Sequence, residues 1–218
     1  MIVAVAFAMT GLYNRARIPT STIQLLVGSV VGLALGASAG VRWHTIATLA
    51  VIWVAAPFVA AAVGHVAARL LAGVAVAGGV LVAVGCVASF AMGANDVALA
   101  SGALVGADVL TPHWAGLLCG AAIALGVLVT GRPLLDRVAF DIVDVDRTTA
   151  TAAQLVQALV VLVAVAFGYF TSMNQALVGA MAGARPRAVR RRTLLGIVRG
   201  WVIGPPSSLV LALGAALL

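Results

Sequence analysis

Of 218 residues, 63% are hydrophobic and 9% charged, with a mean hydropathy of +1.18; this excludes a water-soluble globular domain and leaves a polytopic helical membrane protein. The net charge of +7 comes from thirteen arginines without lysine against six aspartates without glutamate. Because the arginines cluster between apolar spans, the excess reads as membrane topology, not as a nucleic-acid surface.

Met1 to Tyr13 is apolar but shorter than the roughly 20 residues a span needs, and reads as the end of a helix that begins earlier. Nothing before Pro19 has the charged region and cleavage site of a signal peptide. Asn14-Arg15-Ala16-Arg17 reads as a polar surface loop. Pro19-Thr20-Ser21-Thr22-Ile23-Gln24 then leads into a small-residue stretch, Leu25 to Ala39. After a turn at Val41 to His44, Thr45 to Ala68 is a spanning helix carrying Pro57, and Gly73 to Met92 is the next span. Val97 to Leu110 is rich in Gly and Ala and reads as a re-entrant or broken segment. Trp114 to Thr130 spans again. Arg132 to Arg147 reads as an aqueous loop with Asp136, Asp141, Asp144 and Asp146. Thr151 to Tyr169 spans, Thr171 to Gly183 is a second polar-then-small stretch, Arg185 to Arg192 is strongly basic, and Leu194 to Leu218 closes the chain. Cys86 and Cys119 lie in apolar spans as small hydrophobes. His44, His65 and His113 lack the spacing of metal ligands, and no catalytic motif points to an enzyme.

The polar centre of this apolar chain is Gly93-Ala94-Asn95-Asp96. An aspartate at membrane depth costs about 2.5–3.5 kcal/mol on insertion scales, a cost tolerated best when the carboxylate holds an ion, a proton or a partner. Asn95 both donates and accepts, and Gly93 lets the backbone leave α-helical geometry. The plainer alternative is a surface loop that happens to contain Asn-Asp.

An internal duplication organises the rest. Thr20-Ser21-x-x-Gln24-x-Leu26-Val27-Gly28-x-x-x-Gly32 matches Thr171-Ser172-x-x-Gln175-x-Leu177-Val178-Gly179-x-x-x-Gly183. Val41-Arg42-x-x-Thr45, Trp53-Val54 and Pro57 match Val189-Arg190-x-x-Thr193, Trp201-Val202 and Pro205 at the same internal spacing. Chance in an apolar chain explains repeated Val or Gly, but not Thr-Ser, Gln, Arg, Trp and Pro together. The expected architecture is all-α, with inverted repeats and broken or re-entrant helices: an incomplete first repeat at 1–72 and a second at 73–218. Broken helices expose backbone N–H groups and the positive dipole end, which suit an anion. Thr20, Ser21, Thr22, Thr171 and Ser172 add hydroxyl donors there, although Ser and Thr also serve simply as small residues between close helices.

With the later Gly102 and Val105-Gly106, Gly93-Ala94-Asn95-Asp96-Val97-Ala98 resembles the signature of the inorganic phosphate transporter (PiT) family. The segments at 19–24 and 171–175 resemble that family's Pro-Val-Ser-Thr-Thr-His segments, and Trp53 to Pro57 and Trp201 to Pro205 resemble its tryptophan-to-proline helix ends. The resemblance covers nearly the whole chain. It implies a multi-pass carrier of the cell membrane that moves inorganic phosphate, or a related oxyanion such as sulfate, coupled to sodium or protons and using no other cofactor. By that analogy Asn95 and Asp96 serve ion coupling, including sodium ligation. Thr20, Ser21, Thr22, Gln24, Thr171, Ser172, Asn174 and Gln175 form the anion site. The expected partners are the anion and the lipid bilayer, with no nucleic acid; a homo-oligomer is compatible with the sequence.

Three departures qualify the resemblance. The family's second Asn is Leu99 here, its following hydroxyls are Ala103 and Leu104, its His is Gln24 and Gln175, and one proline is Phe170; the lost donors point to a weaker anion site or a different oxyanion. Gly93 precedes Thr171 by 78 residues, and the same step back from Thr20 lands about 58 residues before Met1. The first repeat is therefore expected to lack its own Gly-Ala-Asn-Asp, and these 218 residues are not expected to transport normally alone. The competing expectation is a non-transporting or degenerate subunit that completes its site with another chain.

Overall fold

In lipid every backbone polar group must find a partner within the protein, which leaves helices as the economical solution for a chain this apolar. The computed structural model describes residues 2–15, 20–141 and 146–217. Among them are nine α-helices and one π-helical segment, with no strand: α1 Ile2–Arg15, α2 Thr22–Gly36, α3 Trp43–Leu70, α4 Gly78–Met92, the π segment Gly93–Val97, α5 Ala98–Gly106, α6 Pro112–Asp141, α7 Arg147–Ala166, α8 Met173–Ala184 and α9 Arg191–Ala216. Among the described residues five stretches are long and apolar enough to cross a membrane: Trp43–Leu70, Gly78–Gly106, Pro112–Val129, Arg147–Ala166 and Arg191–Ala216.

Three boundaries differ from expectation. Helix α1 continues through Asn14 to Arg15, whereas Arg17 and Pro19 lie outside the described residues. Helix α6 continues to Asp141, so the backbone of Arg132 to Asp141 is helical and not an open loop; Asp144 lies outside the described residues. Val97 to Leu110 is neither broken nor re-entrant. The chain passes from α4 through the π segment into α5 without interruption, and the turn comes only after Gly106, where Asp108 adopts φ 54°. Gly93 stays in right-handed helical geometry, φ −57° and ψ −48°, so the departure at this point is a widened turn and not a helix end.

The chain forms two compact units, residues 1–52 with 191–218 and residues 53–190. They do not coincide with the sequence repeats, because each takes helices from both. In the first unit α2 runs along α9. A Cβ at Gly28 would fall 2.5 Å from the Pro205 carbonyl oxygen, one at Gly32 would land on the Leu209 carbonyl, and one at Gly36 on the Ala216 methyl. Ser29, fully buried on the same side, donates to the Leu25 carbonyl at 2.8 Å. Helix α1 packs on both, and its Tyr13 hydroxyl lies 2.7 Å from Ser207 Oγ.

In the second unit α8 runs along α3 in the same way. A Cβ at Gly179 would land on the Pro57 carbonyl and one at Gly183 on the Ala61 carbonyl. Helix α7 packs against both α4 and α8. The two pairings correspond residue for residue under the internal duplication: Gly28 and Gly179 meet Pro205 and Pro57, and Gly32 and Gly183 meet Leu209 and Ala61. In both pairs contacts advance by four residues on each helix, so the helices are parallel. Without a hydrophobic drive between helices in lipid, such backbone-to-backbone approach supplies the dispersion contacts that hold them. The proline helix of each repeat thus serves the other repeat's glycine helix.

Candidate functional site

Helix α7 ends at Ala166, and α8 begins at Met173. Between them Gly168 takes φ +77°, a left-handed turn that suits glycine, and the following residues run extended. Such a break leaves backbone groups that the helices cannot satisfy, and side chains of the second unit take them up one after another. Trp53 Nε1 donates to the Phe170 carbonyl at 3.2 Å. Asn95 brackets Thr171: its Nδ2 donates to the Thr171 carbonyl at 2.9 Å, and its Oδ1 accepts from the Thr171 N–H at 3.2 Å. Gln157 Nε2 donates to the Met173 carbonyl at 3.3 Å. Ser172 Oγ accepts from the Gln175 N–H at 3.3 Å and caps α8.

Asn95 has no exposed surface, and its amide also donates to Asp96 Oδ1 at 3.0 Å. The two residues of the motif therefore divide the work. Asn95 secures the break, while Asp96, only partly buried, is held by that same amide and keeps further acceptor capacity. Two buried oxygens at the break have no hydrogen-bond partner, Thr171 Oγ1 and Gln175 Oε1. A buried acceptor left this way costs about 1–3 kcal/mol unless a donor or cation arrives.

The first unit repeats part of this pattern. Ser21 Oγ caps α2 by accepting from the Gln24 N–H at 3.4 Å. Among the described residues Gln24 Oε1 is buried without a partner, as is Trp201 Nε1, the duplicate of Trp53. Thr20 and Ser21 are buried, whereas Thr22 and, in the second unit, Asn174 are exposed. The structure thus brings Asn95, Asp96, Thr171, Ser172 and Gln175 together in one unit, and Thr20, Ser21 and Gln24 in the other.

Sequence reasoning missed Gln157 and the role of Trp53. The available signal was an uncharged amide inside an apolar span for the former, and for the latter the Trp that recurs in both repeats.

A profile of the phosphate transporter family matches residues 74–212. The sodium-dependent phosphate transporter 1 of Homo sapiens is 29% identical over 142 residues, 58% of this chain and 21% of that protein. The sulfate permease of Bacillus subtilis is 26% identical over 211 residues, 90% of this chain and 59% of that one. The chain spans about a third or less of the length of the relatives named as phosphate permeases or phosphate transporters. A solved structure titled the sodium-dependent phosphate transporter superposes with a TM-score of 0.86 at 19% identity, over 99% of this chain and 77% of that one; the likeness bears on the fold. From the profile match, over more than half of its length, the chain belongs to the phosphate transporter family.

Proposed function

We propose that this chain carries a tetrahedral oxyanion, phosphate first, across the membrane together with sodium, that its repeats lie inverted, and that the break before α8, with its duplicate before α2, is a binding element. The observation that carries the reading is the break before α8. There an acidic side chain and two buried oxygens without a partner among the described residues, Thr171 Oγ1 and Gln175 Oε1, gather at the start of α8. Oxygen ligands and a carboxylate suit a hard cation, and helix N-termini with serine hydroxyls suit an anion. In this arrangement Asp96 is the sodium ligand supported by Asn95, Ser172 presents its hydroxyl to the anion and Gln175 supplies an amide oxygen; in the other unit Ser21 and Gln24 hold the corresponding positions. Thr20, Thr22 and Asn174 border these segments.

Sulfate is a second reading with its own support, since the sulfate permease relative aligns over 90% of the chain against 58% for the human phosphate transporter. Proteoliposomes of the purified chain, with inward sodium or proton gradients and radiolabelled phosphate or sulfate, test both. Sodium-driven phosphate uptake, slow for a chain with one Gly-Ala-Asn-Asp segment, is the expected result. Uptake driven only by protons would replace sodium in this reading, sulfate outrunning phosphate would replace the anion, and no uptake by folded protein would end it.

A further inference from the structure

Helices α3 and α8 are parallel, so their carboxyl ends come together, and a cavity of about 550 Å³ opens there. It is lined by His65, Arg69, Arg185 and Arg187 among small residues. We propose that this cavity binds the phosphodiester group of an anionic membrane lipid. Helix α3 is 28 residues long, about 42 Å at 1.5 Å per residue, against a hydrocarbon core of about 30 Å. Its last turn, with Arg69, therefore reaches the headgroup layer.

The plainer role for these arginines is to neutralise helix carboxyl ends, and a charge count decides how far that goes. Two helix C-termini contribute about −0.5 each. Asp146 contributes one negative charge through its ion pair with Arg185. With about +0.5 from the α7 N-terminus that Asp146 caps, these leave, among the described residues, about one to two positive charges over. Among the described residues neither Arg69 nor Arg187 has an ion-pair partner. A positive surplus with two planar forks suits a phosphodiester, which guanidinium groups engage through paired N–H bonds. The Gly183 carbonyl can only accept, so the 3.1 Å contact with His65 Nδ1 places the proton on that nitrogen. This hydrogen bond fixes the ring at the cavity wall while anchoring it to the α3–α8 contact.

The test uses the full chain in nonionic detergent, with retention of phosphatidylglycerol or phosphatidylcholine read by native mass spectrometry and by thermal shift. Wild type should retain phosphatidylglycerol in preference to phosphatidylcholine. Each removed guanidinium near the surface should weaken binding about 5-fold, so R69Q/R187Q should lose about 30-fold. R69K/R187K should lose less, and R42Q nothing. If the double glutamine variant fails to fold, the exposed R187Q alone should still show about a 5-fold loss. Undiminished lipid retention in R187Q and in the folded double variant would overturn the proposal. So would equal retention of phosphatidylcholine, or displacement of the lipid by millimolar inorganic phosphate, which would make this a free-anion site.

Discussion

Replacing Asn95 by alanine should unfold the break before α8 at a cost that can be worked out from its bonds. The substitution removes the donor to Asp96 and both partners of Thr171, whose N–H and carbonyl then lie fully buried with nothing to bind. Two orphaned buried groups at about 1–3 kcal/mol each give about 2–6 kcal/mol. Hydrogen bonds between membrane helices measure lower, about 0.6 kcal/mol on average and about 1.7 at most, so three lost bonds give about 2–5 kcal/mol. The ranges overlap at about 2–5 kcal/mol, and the lower half is the expected value because the break can admit water. Asn95→Asp is the sharper companion. It keeps the acceptor for the Thr171 N–H, loses the donor to its carbonyl, and sets a second carboxylate against Asp96, so it should be at least as damaging at neutral pH. Reversible unfolding in mixed micelles by titration with anionic detergent measures both. An Asn95→Ala variant within about 0.5 kcal/mol of wild type, the ordinary scatter of surface substitutions, would refute the assignment of Asn95 as the clamp of this break.

Asp96→Asn is expected to fold normally and lose sodium-driven uptake, since the amide keeps the shape without the charge; normal uptake by the folded variant would remove Asp96 from the mechanism. Gly183→Leu should prevent the α3–α8 pairing and lower the yield of folded protein several-fold, because its Cβ lands on the Ala61 carbonyl and backbone cannot step aside as a side chain can. Gly116→Leu, with open space around it, should fold like wild type. Asp146 has its carboxyl held below the usual range, first by the Thr149 backbone N–H it caps, with the Arg185 charge helping. A lowered folded value means that its stabilisation is full above the unfolded value of about 3.9 and fades as pH falls through the folded one. Asp146→Ala should therefore cost about 1 kcal/mol near neutral pH and nothing in strong acid; equal losses at both pH values would contradict the cap. With inverted repeats, the Arg185 to Arg192 loop should be cytoplasmic, and efficient labelling of Ala188→Cys from outside intact cells would reverse that orientation.

The spans were legible because their length and apolar character are read directly from composition, and the duplication was legible because Thr-Ser, Gln, Trp and Pro recur at fixed spacing. Helix pairing was hidden. The Gly28 and Gly179 stripes announce close contact but not its partner, which depends on which proline helix can bring a carbonyl that near. At Arg132 to Asp141 the density of charge suggested a loop, although Arg132 with Asp136 and Arg137 with Asp141 stand four apart, the spacing of ion pairs along a helix. The site was half legible. The sequence singled out Asp96, Ser21 and Ser172 by their chemistry, with the serines as hydroxyl donors to an anion; that both serines cap helices, and the work of Trp53, Asn95 and Gln157, depends on where the breaks lie in space.

The exchange of proline helices also sets a timetable. Helix α2 is complete in the nascent chain once residue 36 is made, but α9, which its glycine face must meet, begins at Arg191, more than 150 residues later. At about 5–20 residues per second, Gly28 and Gly32 wait roughly 8–30 s with their backbone turned toward lipid or toward the insertion machinery. Helix α3 waits a comparable time for α8. Slowing translation after residue 36 lengthens that wait, so the yield of folded protein should depend on codon choice in the middle of the gene as well as on the residues encoded there.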